Sequence, residues 1–293
     1  MATWAATAIR EKHPDAYICW AAEERCVPVI DTKHLVNRVK EIPRQKWRAY
    51  KKWNPRVLAE QIRICQDLKR EQFDFGIDLQ GQLKTAICLK FSYPKQRVSV
   101  RGADALSRLL NPVPETMPTD AHWVEWQNHV LNRWESYSIP EHPIMPGAPP
   151  KQPKLVTIST AAGHPTKIYP IEYWAEVAKG LMSDGFDVAL LGGKGDPDLE
   201  LPGITSYVGK LSLAESMAMV ASSELHLAGD TGTGHIAAAY GVPVISIFGH
   251  MDPKNYRPYT ALGRILRKGS EARNIEPVEV LIAVRNLMEE VHG

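Results

Sequence analysis

The sequence lacks the cysteine pattern that metal or disulfide scaffolds need. Its four cysteines, Cys19, Cys26, Cys65 and Cys88, include no Cys-x-x-Cys pair. That argues against a zinc site and a disulfide framework, and it fits a reducing compartment. No run approaches the ~18 consecutive apolar residues of a membrane-spanning helix, and the N-terminus shows no apolar core of an export signal. Charge of one sign is not in excess: 35 basic and 33 acidic residues leave +2, so the whole-molecule field points to no partner. Internal repeats and low-complexity tracts are also missing. What remains is a chain of 293 residues, 44% hydrophobic and 23% charged. This is an ordinary globular composition, and the length suits two α/β domains better than one small core.

Helical and strand signals alternate along the chain, which argues for parallel α/β sheets. The pattern predicts helices over 3–11, 57–70, 83–91, 171–183 and 277–291, and strands over 16–21, 73–79, 155–159, 188–191, 225–228 and 244–248. In the second helix the expected core face is Leu58, Ile62, Cys65 and Leu68. Six prolines between Ser138 and Pro153 (140, 143, 146, 149, 150 and 153) mark a domain linker. The expected division is 1–148, 149–275 and a C-terminal amphipathic helix, 276–293.

The segment from Leu225 to Phe248 carries the most chemistry. An apolar strand runs into Gly229-Asp230-Thr231-Gly232-Thr233-Gly234-His235, and a small-residue helix follows. A helix N-terminus after such a turn is an anion site, because free N–H groups and the positive dipole end point at the ligand. Gly232 and Gly234 allow close backbone approach, and Thr231 or Thr233 can cap the helix or bond a phosphate oxygen. An ordinary βα turn with a threonine cap and a surface histidine has the same local pattern. Asp196-Pro197-Asp198, after Gly195, reads as turn chemistry and not as a metal motif. Gly192-Gly193-Lys194-Gly195 lacks P-loop spacing, and His122 and His129 have no matching ligand set.

Three stretches together resemble glycosyltransferase family 9, the lipopolysaccharide heptosyltransferases. They are Asp230-Thr231-Gly232-x-x-His235 with its Ala-rich helix, Gly-Val-Pro and Phe-Gly-x-x-Asp-Pro; Ile77-Asp78-Leu79-Gln80-Gly81; and the loop 163–170. One departure is His250-Met251, where the family usually has Pro-Thr. The resemblance implies a GT-B fold, in which two Rossmann-like domains with parallel sheets face a cleft. It implies a metal-independent transferase with no cofactor, which moves heptose from ADP-heptose to an anionic lipopolysaccharide inner-core acceptor resembling Kdo-lipid A. Donor-binding residues carried over are Lys167, Asp230, Thr231, Gly232 and His235. Lys167 would neutralise the donor pyrophosphate; Asp230 would shape the turn or bond a donor hydroxyl.

Residues 38–56 hold eight basic side chains (Arg38, Lys40, Arg44, Lys46, Arg48, Lys51, Lys52 and Arg56) against Glu41, with Trp47, Tyr50 and Trp53 among them. Such a stretch is either a solvated helix face or an anion-binding patch. Its resemblance to the family's Arg-rich acceptor loop makes Arg44, Lys46 and Arg48 the expected acceptor contacts, with no nucleic-acid partner. The expected location is cytoplasmic, with peripheral contact at the inner face of the inner membrane. The family opens with a strand and a Gly-Asp turn carrying the catalytic base, whereas this sequence opens on a helical pattern. The expectation is that the base segment lies before Met1, so no catalytic residue is assigned and Asp78 is the reserve candidate. The rival reading is an inactive nucleotide-sugar-binding protein. A nucleotide-dependent oxidoreductase is disfavoured, since no Gly-x-Gly-x-x-Gly follows a strand in the N-terminal half.

Overall fold

The structure is a computed structural model describing residues 1–50, 54–100, 104–111 and 120–293. Lys51, Lys52 and Trp53 of the basic stretch lie outside the described residues. The chain divides into two compact units, Met1–Ile144 and Met145–Gly293.

In the first unit the order is α1 (Ala2–Lys12), β1 (Cys19–Glu23), β2 (Arg38–Ile42), α2 (Arg44–Arg48), α3 (Pro55–Arg70), β3 (Phe75–Asp78), α4 (Leu83–Phe91), β4 (Gln96–Ser99), α5 (Ala105–Leu110) and α6 (Trp123–Leu131). Among the described residues its strands form two separate parallel pairs, β1 with β2 and β3 with β4. Helix α1 serves both. Ala6 packs with Ala22, Leu35 and Val36 near the first pair, and Ala5 and Ala8 pack with Ile77 and Leu79 of the second.

Helix α3 keeps Leu68 of the expected core face buried and Cys65 half-buried, but corrects Leu58 and Ile62. Asn54 caps it by accepting from the Arg56 N–H, and Pro55 fits the first turn, where no partner for its nitrogen is needed. Val57, Ile64 and Leu68 are its buried residues, while Leu58 and Ile62 remain 55% and 48% exposed. Two apolar stripes lie side by side on this helix, and its neighbours select the one through Val57 and Ile64. The strand expected over 16–21 also shifts, to Cys19–Glu23.

The second unit contains β5 (Leu155–Ser159), α7 (Ile171–Ser183), β6 (Asp187–Leu191), β7 (Ile204–Ser206), α8 (Leu213–Ser222), β8 (Leu225–Gly229), α9 (Gly232–Ala239), β9 (Val244–Phe248), α10 (Pro253–Tyr256), β10 (Gly263–Arg267) and α11 (Pro277–His292). The strands make one parallel sheet in the order β10-β9-β8-β5-β6-β7. Counted within the unit this is the doubly wound order 3-2-1-4-5-6.

The two faces of that sheet differ. Val156, Ile158, Val188, Leu190, Leu225, Leu227, Ile245 and Ile247 share one face, packed with Trp174, Val177 and Leu181 of α7 and with Val280, Val284 and Leu287 of α11. Strand alternation and register put Thr157, Ser159, His226, Ala228 and Ser246 on the other. There α8 and the Ala-rich α9 lie against the strands. Small and polar side chains on that face let a helix of glycine and alanine come close. Residues with period-2 alternation but buried on both sides are the mark of a parallel sheet covered by helices.

Candidate functional site

A doubly wound sheet binds ligands outside the carboxyl ends of its strands, where the strand order reverses. In the second unit that point lies between β5 and β8. The loop after β5 holds a short 3-10 turn, Pro165–Lys167, capped by His164, whose ring accepts from the Thr166 N–H. Strand β8 ends in Gly229 and leads through Asp230 and Thr231 into α9. Lys167 and Asp230 meet at this switch point, with Lys167 Nζ 2.6 Å from Asp230 Oδ2 and side chains only 19% and 9% exposed. The approach is an ionic contact and not an aligned hydrogen bond.

Helix α9 begins at Gly232, earlier than the apolar pattern beginning at Ile236 suggests. Thr231 occupies the cap position, but its side chain caps no N–H; its hydroxyl instead lies 3.1 Å from that of Thr233. The Thr231 side chain therefore leaves the N–H groups of Gly232, Thr233 and Gly234 without a side-chain cap, the arrangement of an anion-accepting helix start. A Cβ built on Gly232 would meet no atom within 4 Å, so the space before the helix is open. Gly234 is different: a Cβ there would lie 3.3 Å from both Ser246 Oγ and a Pro258 carbon, which keeps this turn close to β9. His235 is half-buried in the same first turn. Lys167, Asp230, Thr231, Gly232 and His235 thus gather at one end of one sheet: a cation, its carboxylate partner and a helix N-terminus. Such a set can hold a diphosphate and stabilise charge that develops on it.

Sequence reasoning did not find the Lys167–Asp230 pair, because its members are far apart along the chain and nothing local couples them. The structure adds to the two roles expected of Asp230 an ionic contact with the lysine ammonium. The remaining decoys resolve as turn chemistry. Asp196 Oδ2 accepts from the Gly193 N–H at 2.6 Å. Asp198 Oδ1 accepts from the Ser206 hydroxyl at 2.6 Å, and that bond holds the Asp198 carboxyl below its ordinary range. His122 caps α6, its ring accepting from the Val124 N–H.

In the first unit, Arg44, Lys46 and Arg48 all lie on α2. Glu24 accepts from the backbone N–H groups of Arg44 and Gln45, each at 2.6 Å, and so anchors the start of that short helix. Lys46 Nζ lies 3.2 Å from Glu60, whose other oxygen accepts from Trp47 Nε1 at 2.7 Å. The indole and ammonium donors hold the Glu60 carboxyl below its usual range. Arg48 is exposed. A depression of about 380 Å³ is lined by Lys46, Tyr50, Arg56, Val57, Glu60 and Arg63, among others. Three cations against one carboxylate leave it net positive. Arg63 escaped sequence reasoning, since it sits beyond the obvious basic run and reaches the depression only through the turn of α3.

Asp78 closes β3 and is 4% exposed. Its Oδ1 accepts from the N–H groups of Gln80 and Gly81 at 2.9 and 3.0 Å. Burial raises its pKa, against the lowering effect of those two bonds. One carboxylate oxygen is therefore engaged in shaping the turn after β3, while Oδ2 lies 3.5 Å from Asn111 Nδ2.

These features define a two-unit α/β protein with a glycine-rich turn and a helix N-terminus at the switch point of a Rossmann-type sheet, the architecture of a GT-B transferase. The model of glycosyltransferase family 9 (heptosyltransferase) matches residues 61–279, and the chain belongs to that family. Among curated relatives, lipopolysaccharide heptosyltransferase 1 of Pseudomonas aeruginosa is 29% identical over 262 residues, 82% of this chain and 72% of the relative. Lipopolysaccharide heptosyltransferase 2 of Salmonella typhimurium is 21% identical, covering 97% and 91%. Of solved structures, Escherichia coli heptosyltransferase WaaC with ADP superposes with TM-score 0.80 at 20% identity, over 97% of this chain and 95% of that one. Escherichia coli ADP-heptose heptosyltransferase II gives 0.79 at 18%, over 100% and 95%. The protein is a transferase of the GT-B fold. Among the described residues no helix is long and apolar enough to cross a membrane.

Proposed function

We propose that this protein transfers heptose from ADP-heptose to a lipopolysaccharide inner-core acceptor. The observation that carries the donor half is the Lys167–Asp230 pair set beside the N-terminus of α9 at the sheet's switch point. Breaking the bond between sugar and diphosphate places negative charge on the leaving nucleotide. A fixed ammonium and oriented N–H groups stabilise that charge more in the transition state than in the ground state. Lys167 serves as the counter-charge, the first turn of α9 supplies backbone donors, and Thr231 and His235 supply further polar contacts. The relatives named for heptose transfer, and the solved relatives holding ADP and an ADP-fluoroheptose, support the choice of donor.

The acceptor half rests on α2 and the net-positive depression beside it. Arg44, Lys46 and Arg48 are assigned to the carboxylates and phosphates of a Kdo-lipid A-like acceptor, for which guanidinium and ammonium groups are apt donors. Because that acceptor is anchored in lipid, the protein works at a membrane surface by peripheral contact, on the cytoplasmic side where its nucleotide donor is found.

Asp78, the carboxylate weighed as a base, is tied into its own turn. This favours a second reading: binding of the nucleotide sugar without transfer. One experiment separates the two. The purified protein is incubated with ADP-heptose and Kdo-lipid A, and ADP release is followed beside the binding of ADP-heptose by calorimetry. Acceptor-dependent release supports the transferase; binding without release supports the second reading; absence of binding removes the donor site from both.

A further inference from the structure

Beside the Lys167–Asp230 turn lie two imidazoles that the reading above does not use. His164 is in the loop after β5 and His250 in the loop after β9. Their ring centroids are 4.8 Å apart. Both Nδ1 atoms converge on the Thr166 hydroxyl, at 2.9 Å from His164 and 2.5 Å from His250. The loops are in close contact: a Cβ on Gly249 would fall 2.2 Å from the Thr166 carbonyl oxygen. Both histidines are exposed, on the same sheet edge as the switch-point residues.

The Thr166 N–H donates to His164 Nδ1, so that nitrogen is an acceptor and the neutral ring carries its proton on Nε2. This bond occupies the one in-plane lone pair of His164 Nδ1, which leaves the single hydroxyl proton of Thr166 for His250 Nδ1. With Nδ1 accepting, the neutral His250 ring also carries its proton on Nε2. Two Nε2–H donors side by side match an anionic oxygen.

We propose that His164 and His250 together grip a phosphate oxygen of the nucleotide-sugar donor. The proposal rests on the donor reading given above and adds two binding residues to it. Of the charged groups on the surrounding segments, Lys167 is paired with Asp230 and faces the same diphosphate, Arg267 donates to the Gly249 carbonyl, Asp252 accepts from the Lys254 N–H, Arg273 pairs with Glu271, and Lys268 pairs with Glu279.

The test is calorimetric binding of ADP and of ADP-heptose. His250→Asn keeps a short amide beside Thr166 but has no Nε2. It is expected to lose about tenfold in ADP affinity, as for a lost charge-assisted bond. His164→Gln, whose amide can restore the Nε2 donor, is expected to bind more tightly than His164→Ala. Wild-type ADP affinity in His250→Asn overturns the proposal, and so does equal affinity in His164→Gln and His164→Ala. Weakened ADP-heptose binding with unchanged ADP binding would move the contact to the sugar and overturn it as well. If the wild type binds no ADP, the donor reading itself falls and takes the proposal with it.

Discussion

Replacing Lys167 with alanine removes one ammonium and exposes a carboxylate, and both effects can be sized from the geometry. The lysine and aspartate are 2.6 Å apart and retain 19% and 9% of their side-chain exposure, so the pair is better shielded than the surface ion pairs whose contribution is near zero. Loss of a charge-assisted contact to a diphosphate costs about 1.5–3 kcal/mol. Left alone, Asp230 then repels the same diphosphate, which adds on the order of 1 kcal/mol at a separation of several ångström in a partly hydrated site. Affinity for ADP should therefore fall about a hundredfold or more. Asp230→Asn alone should change it little, since the repulsion and the positioning of Lys167 disappear together. The double variant should recover about fivefold to tenfold over Lys167→Ala. The assay is a double-mutant cycle on ADP affinity by calorimetry, with thermal melting as a control. Loss of a partly exposed ion pair should lower Tm by only about 2–4 °C for a unit of this size. An ADP affinity for Lys167→Ala within twofold of wild type, in a protein that melts normally, would refute the placement of the diphosphate. Strictly additive single effects would refute the coupling to Asp230.

Three more outcomes follow from features in each unit. Replacing Arg44, Lys46 and Arg48 together with alanine should raise the acceptor KM about tenfold or more while leaving ADP affinity unchanged; a loss confined to ADP affinity would contradict the assignment. Gly249→Ala should displace the 164–167 loop, because the new methyl would sit 2.2 Å from the Thr166 oxygen, so ADP affinity should drop with little change in far-ultraviolet dichroism. His226 is fully buried with its Nδ1 2.9 Å from the Thr157 hydroxyl, and burial lowers its pKa to about 3. The unfolded chain therefore binds this proton first. Stability is complete above the ordinary histidine range and falls as pH drops below it, by roughly 2 kcal/mol between about pH 6.5 and pH 5. Melting scans over that range should show the slope, and a folded His226→Gln variant should show less of it.

Legibility in the sequence followed how local each feature was. The strands at 155–159 and 244–248 and the helices at 83–91 and 171–183 were readable to the residue. The two strands are short apolar blocks buried on both sides, which removes any choice of face, and the two helices have glycine or proline close by at their ends. Helix α3 was misread because Leu58-Ile62 and Val57-Ile64 are equally good stripes; only the neighbours decide, and they are distant in sequence. The gathering of Lys167 with the Asp230 turn followed from motif order, yet their ionic contact did not, since it depends on two strands lying side by side. The His164–His250 pair was missed for the same reason. No spacing rule links a loop after one strand to a loop after another.

The sheet face beneath α9 has a thermodynamic consequence. Thr157, Ser159, His226 and Ser246 present small polar surfaces there, and Gly234 brings the helix within contact of Ser246. A helix seated on short side chains has few rotamers to rearrange, so its first turn is already in the orientation a ligand meets. Little conformational entropy remains to be lost there and little apolar area is newly covered when an anion docks. Nucleotide capture at this turn should then be driven by enthalpy, with a heat-capacity change much smaller than that of a domain that folds around its ligand.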